Sequence, residues 1–346
     1  MKVTHRIVLS LVFLLVFTAS GIAAQPEAPL LFADLGDFRL ESGQVIRNCR
    51  VGYRTMGTLN KEKSNSILFP TWLAGISKDL FDLGFVGPGK LADTSKYFVI
   101  AIDAFGNGVS SSPSNSATQS ASAFPEFTIG DMVNAQYILL KKHLNLDRLH
   151  AVMGVSMGGM QIFQWLLAYP EFMKNAVSIM GTPNATSCDL LVWQAELRAI
   201  EATRGVQEGD VLRMKGLAPI HALVTRTPQY YISRITPEGL PQFLAETEKA
   251  LAKYNPNDWA WQLKAIMSGD LYRPFGKSAE RAAGFVKAKL FVVAAQNDYM
   301  VNPGPSLAFA GILKAKTLEL SSDCGHFAFF CEQEKIREAV ASFLAN

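Results

Sequence analysis

Histidine and cysteine are scarce in this chain, and this scarcity limits the chemistry it can carry. There are five histidines and four cysteines among 346 residues. None of the cysteines forms a Cys-x-x-Cys pair, and no His/Cys cluster has the spacing of zinc ligands. We therefore expect no metal site, and nothing in the sequence calls for an organic cofactor.

The chain also lacks a block of like charge and any internal repeat. Lys and Arg number 33 against 30 Asp and Glu, so we expect neither nucleic acid nor an anionic membrane surface as a partner. Apolar residues make up 49% and charged residues 18%, which excludes a disordered chain. The length fits about two domains, or one large α/β domain with an insertion.

The sequence alone does not determine whether the cysteines form disulfide bonds. If the chain is exported, Cys49, Cys188, Cys324 and Cys331 can oxidise in three pairings, between which the sequence does not choose. Cys324 and Cys331 lie seven residues apart, so that a local bridge between them and buried free thiols are both consistent with the sequence.

The first 24 residues have the pattern of an export signal. Lys2 and Arg6 precede an apolar run over residues 7–18, and small residues follow up to Ala24. We predict a signal peptide over 1–24, cleaved near Ala24, and a periplasmic or secreted protein whose mature chain has no stable membrane span. The alternative is an uncleaved anchor, because residues 7–24 are 18 residues without a charge, about the lower limit for a span.

Strand-like and helical segments alternate along most of the remaining chain. Buried parallel strands are predicted at 66–69, 97–102, 149–155, 176–180 and 289–295, with helices at 129–143 and 157–168. This alternation indicates an α/β fold with a mostly parallel sheet covered on both faces. Residues 183–283 are polar and helical instead, so we expect a core of 25–182 and 284–346 with a helical cap inserted at 183–283.

A candidate nucleophile lies between the strand at 149–155 and the helix that follows it. In Gly154-Val155-Ser156-Met157-Gly158 the serine is flanked by glycine two residues away on each side. Such a strand-to-helix turn is too tight for larger flanking side chains and exposes the hydroxyl. The alternative is a tight turn with a buried serine.

A serine nucleophile needs a histidine as base and an acid that orients the histidine. In proteins with this type of turn, the acid follows the serine in the chain and the histidine follows the acid. His326 is the one histidine after Ser156 that lies outside the inserted segment. Asp298 comes directly after the strand at 289–295, where its carboxylate can orient the imidazole. Asp323 is the competing acid. It lies only three residues before His326 on a turn, which is a poor geometry for a hydrogen bond in the plane of the imidazole ring.

The motif from Gly154 to Gln161, followed by Trp165 and Tyr169-Pro170, resembles the homoserine O-acetyltransferase family of α/β-hydrolase-fold proteins. Matching pieces occur through most of 35–346. The resemblance implies the α/β-hydrolase fold, with a mostly parallel central sheet, helices on both faces and an inserted helical cap. It also implies the same Ser156, Asp298 and His326 assignment.

The resemblance further implies an oxyanion hole. The segment Thr71–Gly75 stands where the family has a His-Ala-Leu-Thr-Gly type loop. The family pattern thus places the hole at the backbone N–H groups of Leu73 and Met157. The alternative for Leu73 is an apolar loop residue in the pocket wall.

Departures from the family bear on the substrate. The family's acetyltransferases hold the amino-acid acceptor with an Arg and a Tyr, where this chain has Ala218 and Thr225, and Phe327 follows the histidine where Asp is common. In addition, acetyl-CoA, the acyl donor for biosynthetic transfer, is found in the cytoplasm, which an exported protein leaves. We therefore expect an exported serine acyl hydrolase acting on a small-molecule ester. The alternatives are a homoserine O-acetyltransferase-like acyltransferase and a non-catalytic binding protein on the same fold. The oligomeric state is open, a homodimer included.

Overall fold

The structure is a computed structural model that describes residues 28–205 and 209–345. The predicted signal peptide, residues 1–24, lies outside the described residues. In the part of the chain that is described, no helix has the length and apolar character to cross a membrane.

An eight-stranded sheet forms the centre of the molecule. Its strands are β1 (Leu31–Arg39), β2 (Val45–Met56), β3 (Ser66–Pro70), β4 (Phe98–Ile102), β5 (Leu149–Val155), β6 (Met173–Ile179), β7 (Lys289–Ala295) and β8 (Lys316–Leu320). Their order across the sheet is β1-β2-β4-β3-β5-β6-β7-β8. The six strands from β4 to β8 in this order are parallel, and β2 joins them antiparallel as part of a hairpin with β1. The predicted mostly parallel sheet is thus confirmed.

The helices connect these strands and cover them. They are α1 (Ser77–Asp82), α2 (Ile129–Ile138, continued by a π-helical turn over Leu139–His143), α3 (Met157–Ala168), α4 (Ser187–Glu201), α5 (Gly209–Thr225), α6 (Pro228–Arg234), α7 (Leu240–Leu251), α8 (Pro256–Met267), α9 (Ala279–Ala283), α10 (Gly304–Ile312), α11 (Ala328–Cys331) and α12 (Gln333–Leu344). Helices α4 to α9 all lie between β6 and β7 in the chain. We refer to residues 183–283 as the helical insertion.

Successive residues of the central strands alternate between two hydrophobic cores, one on each face of the sheet. In β7, for example, Val292 packs in one core, whereas Phe291 and Val293 pack in the other. Side chains of a strand point alternately to opposite faces, so a strand that is apolar at every position is buried on both. This explains why short continuous apolar runs mark the parallel strands of this chain.

Local signals in the sequence set the ends of several helices. Thr128 caps α2 by accepting a hydrogen bond from the Asp131 N–H, and the Asp131 side chain accepts one from the Thr128 N–H. Asn255 caps α8, whose first residue is Pro256. Helix α3 ends before Tyr169-Pro170, as expected for a proline that would break the helix.

Candidate active site

Ser156 lies at the turn between β5 and α3 in a conformation that its neighbours enforce. Its φ is +56° and its ψ −123°, a region that residues with a side chain rarely occupy. A Cβ at position 154 would lie 2.4 Å from the Gly158 carbonyl, and a Cβ at position 158 would lie 2.6 Å from the Pro70 oxygen. Both flanks must therefore be glycine, and the turn leaves the Ser156 side chain in the wall of a cavity.

His326 is held against this serine by a loop that follows β8. Its Nε2 lies 2.9 Å from the Ser156 Oγ, and its side chain is only 5% exposed. Gly325, with φ +58°, precedes it, and a Cβ there would come within 3.0 Å of the Arg226 Cα. The loop needs the glycine for its backbone angle and for this close approach to the residue that follows α5.

A disulfide bond closes the same loop. Cys324 and Cys331 are bonded, while Cys49 is buried and Cys188 exposed, both as free thiols. Of the alternatives that the sequence leaves open, the structure has the local bridge. The bridge encloses His326 in a short covalent ring.

Asp298 completes a continuous chain of hydrogen bonds. Its Oδ2 lies 2.7 Å from the His326 Nδ1, and its Oδ1 accepts hydrogen bonds from the N–H groups of Met300 and Val301 at 2.9 and 2.8 Å. A carboxylate only accepts, so the imidazole must carry its proton on Nδ1. Nε2 is then free to accept the proton of the Ser156 hydroxyl, which is the function of the base in serine-based acyl transfer.

The competing acid, Asp323, turns away from the imidazole. Its Oδ2 lies 2.6 Å from the Arg234 Nη1 in α6, and its backbone oxygen accepts a hydrogen bond from the Thr227 hydroxyl. Asp323 therefore joins the His326 loop to the helical insertion. The structure brings Ser156, His326 and Asp298 together and leaves Asp323 outside the group.

The two predicted oxyanion donors belong to the residue after Ser156 and to the loop after β3. Met157 is the first residue of α3, where the N–H has no intrahelical acceptor and the helix dipole favours negative charge. Leu73 lies in the loop after β3 and borders the same cavity as Ser156. The next N–H in this loop, that of Ala74, donates to the Gln262 Oε1 at 2.6 Å, which ties the loop to α8.

A buried chain of side-chain amides joins the two donor segments, and the sequence reasoning did not single it out. The Trp165 Nε1 donates to Gln136 at 2.8 Å, and Gln136 donates to Gln161 at 2.5 Å. The Gln161 Nε2 then donates to the backbone oxygens of both Thr71 and Met157 at 3.2 Å. One signal for this chain was present in the sequence, because Gln161 is the last residue of the motif that starts at Gly154.

The cavity in front of Ser156 has a volume of about 510 Å³ and lies between the sheet and the helical insertion. Aromatic side chains form much of its wall: Trp72, Trp259, Phe327, Phe329 and Phe330. Arg226 also borders it, with its guanidinium 4.7 Å from the ring centre of Phe327 and 4.8 Å from that of Tyr230. The cavity suits a small, largely apolar molecule.

The positions of the family's acceptor-binding pair carry no charge here. Ala218 and Thr225 are both buried in α5. Thr225 borders the cavity, but its hydroxyl donates to the backbone oxygen of Ala222 at 3.2 Å. Neither residue offers a charged group to a ligand.

A second cavity next to the first is bordered by a buried carboxylate, Asp258 of α8. Asp258 accepts hydrogen bonds from the N–H and the hydroxyl of Ser114, at 2.9 and 2.5 Å. Burial nevertheless raises the pKa of Asp258 to about 6, because an apolar environment disfavours the charged form. Among residues 28–205 and 209–345, no three His, Cys, Asp or Glu side chains cluster as a metal site would require.

Comparisons with known proteins agree with this fold. The sequence profile of the α/β hydrolase fold family matches residues 67–204. A probable esterase of Corynebacterium glutamicum is 32% identical over 331 residues, covering 90% of this chain and 93% of the relative. A homoserine O-acetyltransferase of Methanococcoides burtonii is 29% identical, covering 90% and 72%. The solved structure of an acetylester hydrolase from Corynebacterium glutamicum superposes with a TM-score of 0.86 at 29% identity, covering 92% and 96%.

Proposed function

This chain belongs to the homoserine O-acetyltransferase-like family of the α/β-hydrolase fold, and on that premise we propose that it hydrolyses short-chain esters, acetate esters in the first place, through an acyl-enzyme. The observation that carries the proposal is the hydrogen-bond chain from Asp298 through His326 to Ser156, at 2.7 and 2.9 Å. Acetate is proposed because an acetylester hydrolase is among the structural relatives of this chain.

In the first step the Ser156 Oγ attacks the carbonyl carbon of the ester. As the new C–O bond forms, the hydroxyl proton moves to the His326 Nε2, and the imidazolium is stabilised by the buried Asp298 carboxylate. The carbonyl oxygen becomes an oxyanion and accepts hydrogen bonds from the N–H groups of Leu73 and Met157. His326 then gives its proton to the leaving oxygen, the ester C–O bond breaks, and the alcohol departs.

In the second step water takes the place of the alcohol. Its oxygen attacks the acyl carbon, its proton goes to the His326 Nε2, and the same donors stabilise the oxyanion. Collapse of this intermediate breaks the bond to Ser156, which regains a proton from His326, and the carboxylic acid leaves. The cycle consumes one ester and one water and yields one acid and one alcohol.

Acyl transfer to homoserine is the second candidate, because the family includes homoserine O-acetyltransferases. A hydrophilic acceptor competes with bulk water only when the site holds it at high effective molarity. The uncharged Ala218 and Thr225 of this chain favour water.

A panel of p-nitrophenyl esters of rising acyl length tests the proposal, assayed with and without acetyl-CoA and homoserine. We expect p-nitrophenol release to be fastest for the shortest acyl groups and independent of homoserine. O-Acetylhomoserine as the main product, detected by mass spectrometry, would overturn the hydrolase proposal in favour of the transferase.

Export is also part of the proposal and is supported by the charge and apolar pattern of residues 1–24. The intact mass of the protein recovered from the periplasmic or culture fraction tests it. We expect a chain that begins near Gln25. Full-length chain confined to the cytoplasmic fraction would contradict export without affecting the proposed chemistry.

A further inference from the structure

The cavity contains a second imidazole that is held by a buried carboxylate. His221 of α5 borders the same cavity as Ser156 and His326, and its Nδ1 lies 2.9 Å from the Oε1 of Glu196 in α4. The Glu196 side chain is 0% exposed and that of His221 is 17% exposed. The arrangement repeats that of His326 and Asp298, with Nδ1 bound to a carboxylate.

The remaining ring nitrogen of His221 is available to a ligand as far as residues 28–205 and 209–345 show. Throughout the described ranges no side chain or backbone group bonds its Nε2, and the other oxygen of Glu196 is buried without a partner. The Trp259 ring packs edge-on against the imidazole, 5.1 Å between ring centres, which fixes its plane. A polar atom held this firmly at a cavity wall is suited to bind a polar atom of a ligand.

The packing of α5 indicates which part of an ester reaches His221. The segment directly after α5 lies against the loop of His326: the hydroxyl of Thr227, two residues after the end of α5, donates to the Asp323 backbone oxygen at 2.7 Å. His221 is one helical turn before Thr225, on the same face of α5, about 6 Å along its axis. His326 is the group that protonates the leaving oxygen, so α5 borders the side of the cavity where the alcohol part departs.

We propose that His221, oriented by Glu196, is a specificity-determining residue that binds a hydroxyl group on the alcohol part of the ester. The inference rests on the proposed hydrolase function and deepens it: the favoured substrates are acetate monoesters of diols or polyols. With Nδ1 donating to Glu196, Nε2 accepts the hydrogen bond of the substrate hydroxyl. The aromatic wall of the cavity packs against the carbon chain between hydroxyl and ester.

Isosteric pairs of acetates test this inference. The 2-hydroxyethyl, 3-hydroxypropyl and 4-hydroxybutyl acetates are compared with propyl, butyl and pentyl acetates, in which a methyl group replaces each hydroxyl. We expect the native enzyme to have the higher kcat/KM for the hydroxylated member of at least one pair. In His221→Phe, which keeps an aromatic ring, the hydroxylated/alkyl ratio for that pair should fall about tenfold, the effect of one hydrogen bond.

Two further variants make the result decisive. Glu196→Gln should lower the same ratio, because an amide no longer forces the imidazole proton onto Nδ1. This variant also tests the inference if His221→Phe fails to fold. His143→Phe, on an exposed part of the chain, is the matched control and should leave both rates and their ratio unchanged.

The failure of this inference and that of the proposed function have different signatures. Absence of hydrolysis of every ester by the native protein would overturn both. Hydrolysis with a ratio that moves less than twofold in both His221→Phe and Glu196→Gln would overturn only the binding role of His221. A fall in rate that is equal for both members of every pair would also overturn it, because only a structural role would act in that way.

Discussion

The exchange of Asp298 for asparagine tests the central geometry most directly, because it changes hydrogen-bond chemistry with almost no change in shape. In the native protein the Asp298 Oδ1 accepts from the N–H groups of Met300 and Val301, and Oδ2 accepts from the His326 Nδ1. An asparagine in the same position can keep the two backbone bonds through its oxygen. Its amide group then faces Nδ1 as a donor.

The consequence for His326 follows from this reversal. An imidazole whose Nδ1 must accept carries its proton on Nε2, and that nitrogen then donates toward the Ser156 Oγ instead of accepting its proton. We expect Asp298→Asn to lower kcat on the order of 10⁴-fold, equivalent to about 5.5 kcal/mol in the activation barrier. The thermal unfolding midpoint should change little, since the backbone hydrogen bonds persist.

Asp323→Asn is the matched control. It removes one charge from the exposed ion pair with Arg234. Such a surface ion pair contributes about 0–1 kcal/mol to the free energy of unfolding, and the exchange leaves the imidazole unchanged. The assay is the steady-state hydrolysis of p-nitrophenyl acetate by both variants. If Asp323→Asn lost more activity than Asp298→Asn, the assignment of the acid would be refuted.

Three further predictions concern other parts of the molecule. Ser156→Ala should fold normally and lose several orders of magnitude in turnover; equal labelling of parent and variant by a fluorophosphonate probe would refute its role. Reduction of the Cys324–Cys331 bond should lower the free energy of unfolding by roughly 2–3 kcal/mol, the loop entropy of a ring of this size, as measured by urea unfolding with and without reductant. Burial raises the pKa of Asp258 to about 6 from an ordinary value of 3.8, so the native state retains a proton that the unfolded state releases, and stability falls as pH rises through that window. Asp258→Asn should therefore raise the free energy of unfolding at pH 8, by up to about 3 kcal/mol, and change it little at pH 4; an equal change at both values would contradict this reasoning.

The parallel strands and the proximity of Ser156, Asp298 and His326 could be predicted from sequence because short-range signals determine them. The turn at Ser156 requires glycine on both flanks, and a glycine at those positions is visible in the sequence. His326 lies 170 residues after Ser156 and 28 residues after Asp298 along the chain, yet strand order fixes where each loop emerges. The chain order of serine, acid and histidine therefore predicts that the three side chains lie close together in the fold.

The antiparallel hairpin of β1 and β2 was not predicted, for a physical reason. Along β1 only Ala33 and Phe38 are buried, since this strand lies at the edge of the sheet and faces solvent over most of its length. Without a continuous apolar run it differs little from a loop in sequence. The pair of Glu196 and His221 was missed for a related reason: helical periodicity gives the faces of α4 and α5 but not the contact between two polar side chains across them.

The choice between hydrolysis and transfer depends on the helical insertion, because the Ser156, His326 and Asp298 geometry serves both reactions equally. Each begins with the same acyl-enzyme, and the second step differs only in the nucleophile that the cavity holds. Water needs no binding site, whereas an amino-acid acceptor needs charged partners. In this cavity the Arg226 guanidinium already stacks on Tyr230 and Phe327, and the positions of the family's acceptor-binding pair, Ala218 and Thr225, carry no charge. We therefore expect water, which is present in bulk, to be the acyl acceptor, in line with the proposed hydrolysis.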